Sequence, residues 1–600
     1  MSLVSKKPDI LLYIKVTINS DVFGYLALLK ISGFSFFIYT DLRIYTIIGK
    51  KEVDPMRYSM EVLGMTCDDC VATVTKALKD VGAESVVVSL MRAKAHFAFD
   101  GDTKKLIEAV KRSGYRVGSI VALEGQQDDG TKNKKWLRYD LVIIGSGSAA
   151  FAAAIRAREL GASVAMVERN RVGGTCVNIG CVPSKALIKA GEYYTSILKS
   201  KFSGISATGA NLDLNKVVED KNRLISQLQK EKYLDLIDTY GFDLYKGHAK
   251  FVNQNTVEIN DLILEGEKII IAVGARPAIP PIQGIESIGY LTSTSALSLT
   301  DVPQSMAVIG ANAIGLELGQ YFAHLGSKVY LLEMMDRIAP FEEPEISSRL
   351  HEILTAEGLN IITAATVVRV SKDQDKVSIV YEQAGEKNSL TVDKLLIAAG
   401  RRANTDDMNA DVAAVSLDRR GFVIVDEYLM TTAQNVYAAG DAAGLPQYVY
   451  VAARSGKIAA ENALLGNSKK IDLTSVPRVI FTTPPVAAVG LSENKAKTLG
   501  YSLGTATLES SAIPRALVDR ETNGLMKLIY DESSRKLLGV HAVMENAAEV
   551  IYSATLAIQL GATIDDLIDS YAPYLTMAEG LRLAAQASET DVAMLSCCAG

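Results

Sequence analysis

The chain has 600 residues, of which 48% are hydrophobic and 22% charged, and a formal net charge of −6. That length exceeds what one hydrophobic core serves, so several domains are expected, and the mild acidity leaves no footprint for nucleic acid. Six cysteines are too few for a secreted disulfide framework; they point to a reducing, cytoplasmic compartment where thiols serve redox or soft-metal chemistry.

In chain order, the apolar run from Val22 to Tyr39 is a poor membrane span: Lys30 falls inside it, and no small-residue cleavage site follows. Lys51-Glu52-Val53 can be encoded as a ribosome-binding sequence just ahead of Met56. Residues 1–55 are therefore expected to be a non-native or disordered extension, with translation starting at Met56.

Residues 56–122 read β-α-β-β-α-β, a ferredoxin-like pattern, with strands near 57–63, 85–90, 93–99 and 116–121 and helices near 70–81 and 104–113. Cys67 and Cys70, in GMTCDDC, stand where the first strand hands over to the first helix. A C-x-x-C there offers two thiolates to a soft ion such as Cu(I) or Hg(II). Structural zinc needs four ligands, and no matching second pair lies nearby. The segment 123–137 includes EGQQDDGTKNKK and is expected to be a flexible linker.

Next come two units of strand, Gly-rich turn, helix and strand, which predict an α/β chain with two doubly wound nucleotide-binding domains. In the first, Gly145 permits the tight turn and Gly147 lets a pyrophosphate approach the helix N-terminus. Ala150 allows close helix–strand packing, and Glu168 ends the next strand where it can bind a ribose. In the second, Gly310 and Gly315 frame the loop, Asn312 replaces the middle glycine, and Glu333 is the ribose acid. An acid there favours NADH over NADPH, while Arg337 nearby leaves NADPH open. Boundaries are expected at 138–285 and 400–476 for two parts of the first nucleotide domain, 286–399 for the second, and 477–600 for a last α+β domain.

Between the loops lies GGTCVNIGCVPSK, with Cys176 and Cys181 just after the first ribose acid and ahead of a predicted helix. A thiolate there gains from the helix N-terminus. This segment resembles the redox-disulfide motif of the flavin disulfide reductases, the class of glutathione reductase and dihydrolipoamide dehydrogenase. TTAQNVYAAGD, ending at Asp441, is similar to that family's second FAD fingerprint. The resemblance covers roughly residues 138–600. It implies FAD in the first nucleotide domain, NADPH or NADH in the second, and a homodimer through the last. It further implies Cys181 as the thiol against the flavin, Cys176 as the thiol that meets substrate, and Lys185 paired with Glu317. Ala150, Asn170, Thr175, Ala249, Asp441 and Val449 fall at FAD-contacting positions.

In the disulfide-reducing members, a His–Glu pair near the C-terminus exchanges protons with the substrate thiol. Here Tyr574 stands at the His position, and no His follows His541. A phenol titrating near 10 is a poor proton shuttle at neutral pH, which disfavours a disulfide substrate. The tail instead carries Cys597 and Cys598, vicinal thiols suited to capturing Hg(II) by ligand exchange. DVAMLSCCAG, YLTMAEG and Tyr290 in GYLTSTSAL resemble the Hg(II)-reducing branch of the family, and GMTCDDC resembles the heavy-metal-associated domain. The implied activity is reduction of thiol-bound Hg(II) to Hg(0), with Cys67/Cys70, Cys597/Cys598 and Cys176/Cys181 as successive ligands and Tyr290 and Tyr574 lining the transfer site. A mercury transporter or a small thiol would supply the ion. The alternatives are a dihydrolipoamide- or glutathione-type disulfide reductase, and a metal-binding protein with a vestigial flavoprotein part.

Overall fold

The computed structural model describes residues 27–31, 34–38, 55–90, 92–125 and 134–594. Within the segment read as an extension, Ala27–Ile31 and Phe34–Ile38 pair as an antiparallel hairpin. No helix among the described residues is long and apolar enough to cross a membrane.

The first folded unit is βαββαβ. Strands Met56–Leu63, Glu84–Ser89, Lys94–Phe99 and Arg116–Ala122 form one antiparallel sheet in which Met56–Leu63 lies between Lys94–Phe99 and Arg116–Ala122. Helices Asp68–Asp80 and Thr103–Arg112 put Val74, Leu78, Leu106 and Val110 against Met60, Val62 and Phe97, where burial drives the packing. The Asp102 side chain accepts from Lys104 N at 3.0 Å and caps the second helix.

Strand alternation sends the other face of this sheet toward the next domain. There Asp140, only 3% exposed in its side chain, faces Arg92 Nη1 at 2.7 Å, His96 Nε2 at 2.6 Å and Lys94 Nζ at 3.4 Å. Burial works to raise the Asp140 pKa, but contact with His96 and the Arg92 charge outweigh it and hold the carboxyl below its usual range. Ser89 Oγ donates to Leu160 O at 2.6 Å, and Arg57 pairs with Asp243. The polar segment read as a flexible linker is partly ordered. Glu124–Gly125 pairs with Trp136 and Leu137, and the following strand starts at Lys135. Residues 126–133 lie outside the described set.

The first nucleotide-binding domain centres on parallel strands Asp243–Lys246, Val164–Glu168, Lys135–Ile144, Leu262–Ile271 and Val436–Ala438. A parallel strand is covered on both faces, which is why Leu141, Val142, Ile143 and Ile144 run without polar alternation and are all buried. Helix Ser148–Glu159 packs on helix Val449–Leu465 at Gly456, where a Cβ would lie 2.0 Å from Ala149 O. The second domain has five parallel strands in the order Leu291–Thr292, Lys394–Ile397, Ser305–Ile309, Lys328–Leu332 and Asn360–Ile362. Ala275–Pro277 and Arg401–Ala403 pair as the crossover between the two domains.

The last domain is a five-stranded antiparallel sheet with helices Ala547–Leu560, Ile564–Ile568 and Glu579–Gln586. Its first strand, Arg478–Ile480, leads directly into Phe481 at the site described next.

Candidate active site

Both dinucleotide loops are built where a side chain has no room. Gly145 has φ +114°, and a Cβ there would sit 2.2 Å from Ala272 O. Gly174 has φ +64°, and its Cβ would approach Gly147 Cα to 2.6 Å. The Glu168 carboxylate accepts from Ser146 Oγ at 2.5 Å and Asn170 N at 2.6 Å, which fixes the strand end beside the loop. A cavity of about 520 Å³ opens in front of Gly147, bordered by Thr175, Cys176, Cys181, Lys185, Asp441 and Val449. A smaller pocket of about 50 Å³ lies behind it between Gly145, Glu168 and Ala249. The Cβ-free cradle, the acid at the strand end and the two cavities fit FAD, which Gly147, Glu168, Ala249 and Asp441 would help to hold. Asp441 sits beside Arg401, Oδ2 to Nη2 3.6 Å; burial raises its pKa against the opposing arginine charge.

The second loop repeats the design. A Cβ on Gly315 would lie 1.8 Å from Gly310 O, and Gly310 itself has φ +98°. Glu333 accepts from Ala311 N at 2.7 Å and from Met335 N at 2.9 Å. Asn312 takes an extended conformation as the cap of helix Ala313–His324, so the missing middle glycine is tolerated. Ala313 and Ile314 of this helix line the same large cavity as the two thiols, so a nicotinamide coenzyme held by this loop would have the cavity in front of it.

The cysteine segment breaks into two helices. Gly174–Ile179 carries Cys176, Gly180 turns the chain, and Cys181 is the first residue of helix Cys181–Leu198. Helix dipole and free N–H groups therefore converge on Cys181. Contact with Cys176 lowers the Cys181 pKa; burial opposes this, the Lys185 charge assists, and the result is about 7. The same contact, with burial, pushes the Cys176 thiol up. One thiolate and one thiol is the state this geometry favours at neutral pH.

Lys185 Nζ lies 2.7 Å from Glu317 Oε2 and 4.6 Å from the centre of the Phe481 ring. Glu317 Oε1 accepts from Phe481 N at 3.0 Å. Phe481, Tyr448 and Tyr450 line the cavity and were not singled out from the sequence. The alternating aromatics of QYVY were the available signal for the tyrosines. Tyr290 instead packs with Ile282, Ile285 and Ile288, and Tyr574 is 52% exposed on the last domain; neither lines the cavity.

In the first unit Cys67 Sγ and Cys70 Sγ are 2.9 Å apart at the start of helix Asp68–Asp80. Cys70 is drawn down to about 6, first by Cys67 and then by the Tyr115 hydroxyl, and Cys67 is raised correspondingly. This is a second thiolate–thiol pair at a helix start. Cys597 and Cys598 lie outside the described residues.

With this geometry in place, comparison with known proteins defines the class. Residues 139–456 match the family described as Pyridine nucleotide-disulphide oxidoreductase, and residues 476–585 match its dimerisation domain. Residues 59–116 match the heavy-metal-associated domain. The chain belongs to the pyridine nucleotide-disulphide oxidoreductases and is an oxidoreductase with FAD and NAD(P)H as its cofactors. Its dimerisation domain supports a homodimer.

The full-length relatives narrow this further. The mercuric reductase of Staphylococcus aureus is 46% identical over 545 residues, covering 90% of this chain and 99% of the relative. The mercuric reductase of Lysinibacillus sphaericus is 44% identical over 546 residues, covering 91% of this chain and 100% of the relative. Among solved structures, the HOCl-induced flavoprotein disulfide reductase RclA of Escherichia coli superposes with a TM-score of 0.68 at 32% identity. That superposition covers 75% of this chain and 99% of that one.

Proposed function

We propose that this protein is a mercury(II) reductase, which takes Hg(II) bound to thiols and releases Hg(0) using two electrons from NAD(P)H. The net reaction balances as NAD(P)H + Hg(II) → NAD(P)⁺ + H⁺ + Hg(0). The observation that carries the reading is a redox thiolate–thiol pair, Cys181 and Cys176, in a cavity whose described lining holds no histidine, while the sequence position of the family's exchange imidazole is Tyr574. Relatives named mercuric reductase over nearly their full length support it.

When bound, FAD supplies two-electron storage between the nicotinamide and the thiol side of the cavity. The residues do the rest. Cys181 is available as a thiolate near neutral pH, and Cys176 loses its proton as Hg(II) displaces it. Lys185 offsets the negative charge of the paired sulfurs and is itself held in place by Glu317. Each transfer exchanges one Hg–S bond for another, so no step releases a free ion. In this account Cys67 and Cys70 receive the ion from a transporter or small thiol. Cys597 and Cys598 of the partner subunit then pass it to Cys176 and Cys181. A reducing cytoplasm suits a chain whose four described cysteines are all free thiols.

Replacing both Cys597 and Cys598 by Ala, with bis-thiol Hg(II) as substrate, should lower kcat/KM by about tenfold or more while leaving the flavin reducible by NAD(P)H. Normal turnover of bis-thiol Hg(II) by that variant would remove the tail from the route.

A further inference from the structure

We propose that Tyr233 is a positioning residue for the thiol pair: its ring holds the turn at Gly173 and Gly174, where the Cys176 helix begins, so that Cys176 stays in reach of Cys181. The proposal rests on the two cysteines working as a redox pair and is independent of the ion they reduce.

Residues 214–240 form one helical run in which Leu214–Gln229 and Asp235–Tyr240 are joined by a π-helical turn, Lys230–Leu234. Such turns recur at functional sites. The sequence spacing gives this one a purpose. Ile225 is buried, and Gln229, Tyr233 and Ile237 follow at every fourth residue, all partly buried. In a regular helix three steps of four residues would carry the row about 120° round the axis. The wider turn takes back much of that drift and keeps Tyr233 facing inward.

There the Tyr233 ring stands edge-on to Phe151, with centroids 4.9 Å apart, and its hydroxyl is hydrogen-bonded to the Ser148 side chain. The same ring covers Gly173, which has φ +101°: a Cβ there would lie 3.4 Å from Tyr233 Cδ2. Gln229, one turn earlier, grips the two residues before it. Its Nε2 donates to Val172 O at 2.7 Å, and its Oε1 accepts from Arg171 Nε and Nη2, each at 3.2 Å. From the other side, Gly173 N donates to Ser146 O at 3.0 Å, and Gly174 packs on Gly147. Residues 171–174 are thus held between the phosphate loop and the wide turn. Cys176 follows two residues later on helix Gly174–Ile179, which is only 6 residues long. A helix that short has little stability of its own, so what grips its first turn decides where its thiol stands.

The test reads the pair without mercury. Purified FAD-loaded protein is equilibrated at fixed pH with mixtures of reduced and oxidised dithiothreitol. Closing the Cys176–Cys181 disulfide passes two electrons and two protons to the oxidised reagent. The closed fraction is trapped by alkylation and read by peptide mass. Tyr233→Ala should lower the equilibrium constant for closure by about tenfold or more, because the two thiols lose their mutual placement. Tyr233→Phe keeps the ring and should stay within about twofold of wild type. Where Tyr233→Ala fails to hold FAD, Tyr233→Leu, with apolar bulk but no flat ring, is read instead and should lower the constant by about threefold or more. An unchanged constant in the FAD-loaded Ala or Leu variant, or a fall in Tyr233→Phe as large as in Tyr233→Ala, would overturn the proposal. Absence of Hg(0) release by the wild-type protein would remove the mercury reading and leave this one standing.

Discussion

Replacing Lys185 by Met tests how this protein prepares a thiolate. Contact with Cys176 is the largest influence that lowers Cys181, Lys185 adds to it, and Glu317 opposes it, giving a value of about 7. An opposite charge within a few ångströms lowers a thiol by roughly 1–3 units. Lys185 belongs at the low end of that range because its side chain is 33% exposed and already shares its charge with Glu317. Losing it should therefore raise Cys181 by about one unit. At pH 7 the thiolate fraction would fall from about a half to about a tenth, so alkylation of Cys181 by iodoacetamide should slow about fivefold. The assay is alkylation rate against pH on reduced enzyme, resolved to the residue by peptide fragmentation. Glu317→Gln alone should move the profile the opposite way. An unchanged profile in Lys185→Met would show that the ammonium does not set the Cys181 charge.

Gly315→Ala places a Cβ 1.8 Å from Gly310 O, in the coenzyme loop alone. It should retain bound FAD and lose NAD(P)⁺ binding by about 100-fold or more, read by calorimetry. Asp140→Asn leaves the Arg92 guanidinium buried without its counter-charge and should destabilise the docked metal-binding unit by about 3 kcal/mol. Hydrogen exchange across residues 84–99 should accelerate while FAD binding is unchanged. The sign of the pH dependence follows from the depressed Asp140 pKa. The stabilisation is complete above the ordinary carboxylate value of about 4 and is lost only as pH falls toward the lower folded value.

What was legible in the sequence is what obeys local rules. Gly145, Gly147, Gly310 and Gly315 announce their loops because a strand before and a helix after leave few other uses for glycine at that spacing. Cys181 announces its helix through the VPSK that follows. What was not legible depends on contacts between distant segments. Phe481 reaches the Lys185–Glu317 pair from the first strand of the last domain, and nothing in its own neighbourhood marks it. The docking of Arg92 and His96 on Asp140 joins two domains through residues that read, one at a time, as ordinary polar positions. Glu124–Gly125 lies in a polar run that predicts flexibility, yet it pairs with Trp136–Leu137 because the adjoining strand offers an open edge. The break at Gly180, which puts Cys181 rather than Cys176 at a helix start, lies inside a motif whose spacing does not reveal it.

The central claim is that Cys176 and Cys181 hold a mercury ion while two electrons that originate in NAD(P)H reduce it to Hg(0). Its most direct test is elemental mercury evolved per NAD(P)H oxidised, on the purified full-length dimer with bis-thiol Hg(II). The account predicts one Hg(0) per NAD(P)H, abolished in Cys176→Ala and in Cys181→Ala while FAD stays bound. NAD(P)H oxidation without mercury vapour, or undiminished Hg(0) release from either cysteine variant, would contradict it.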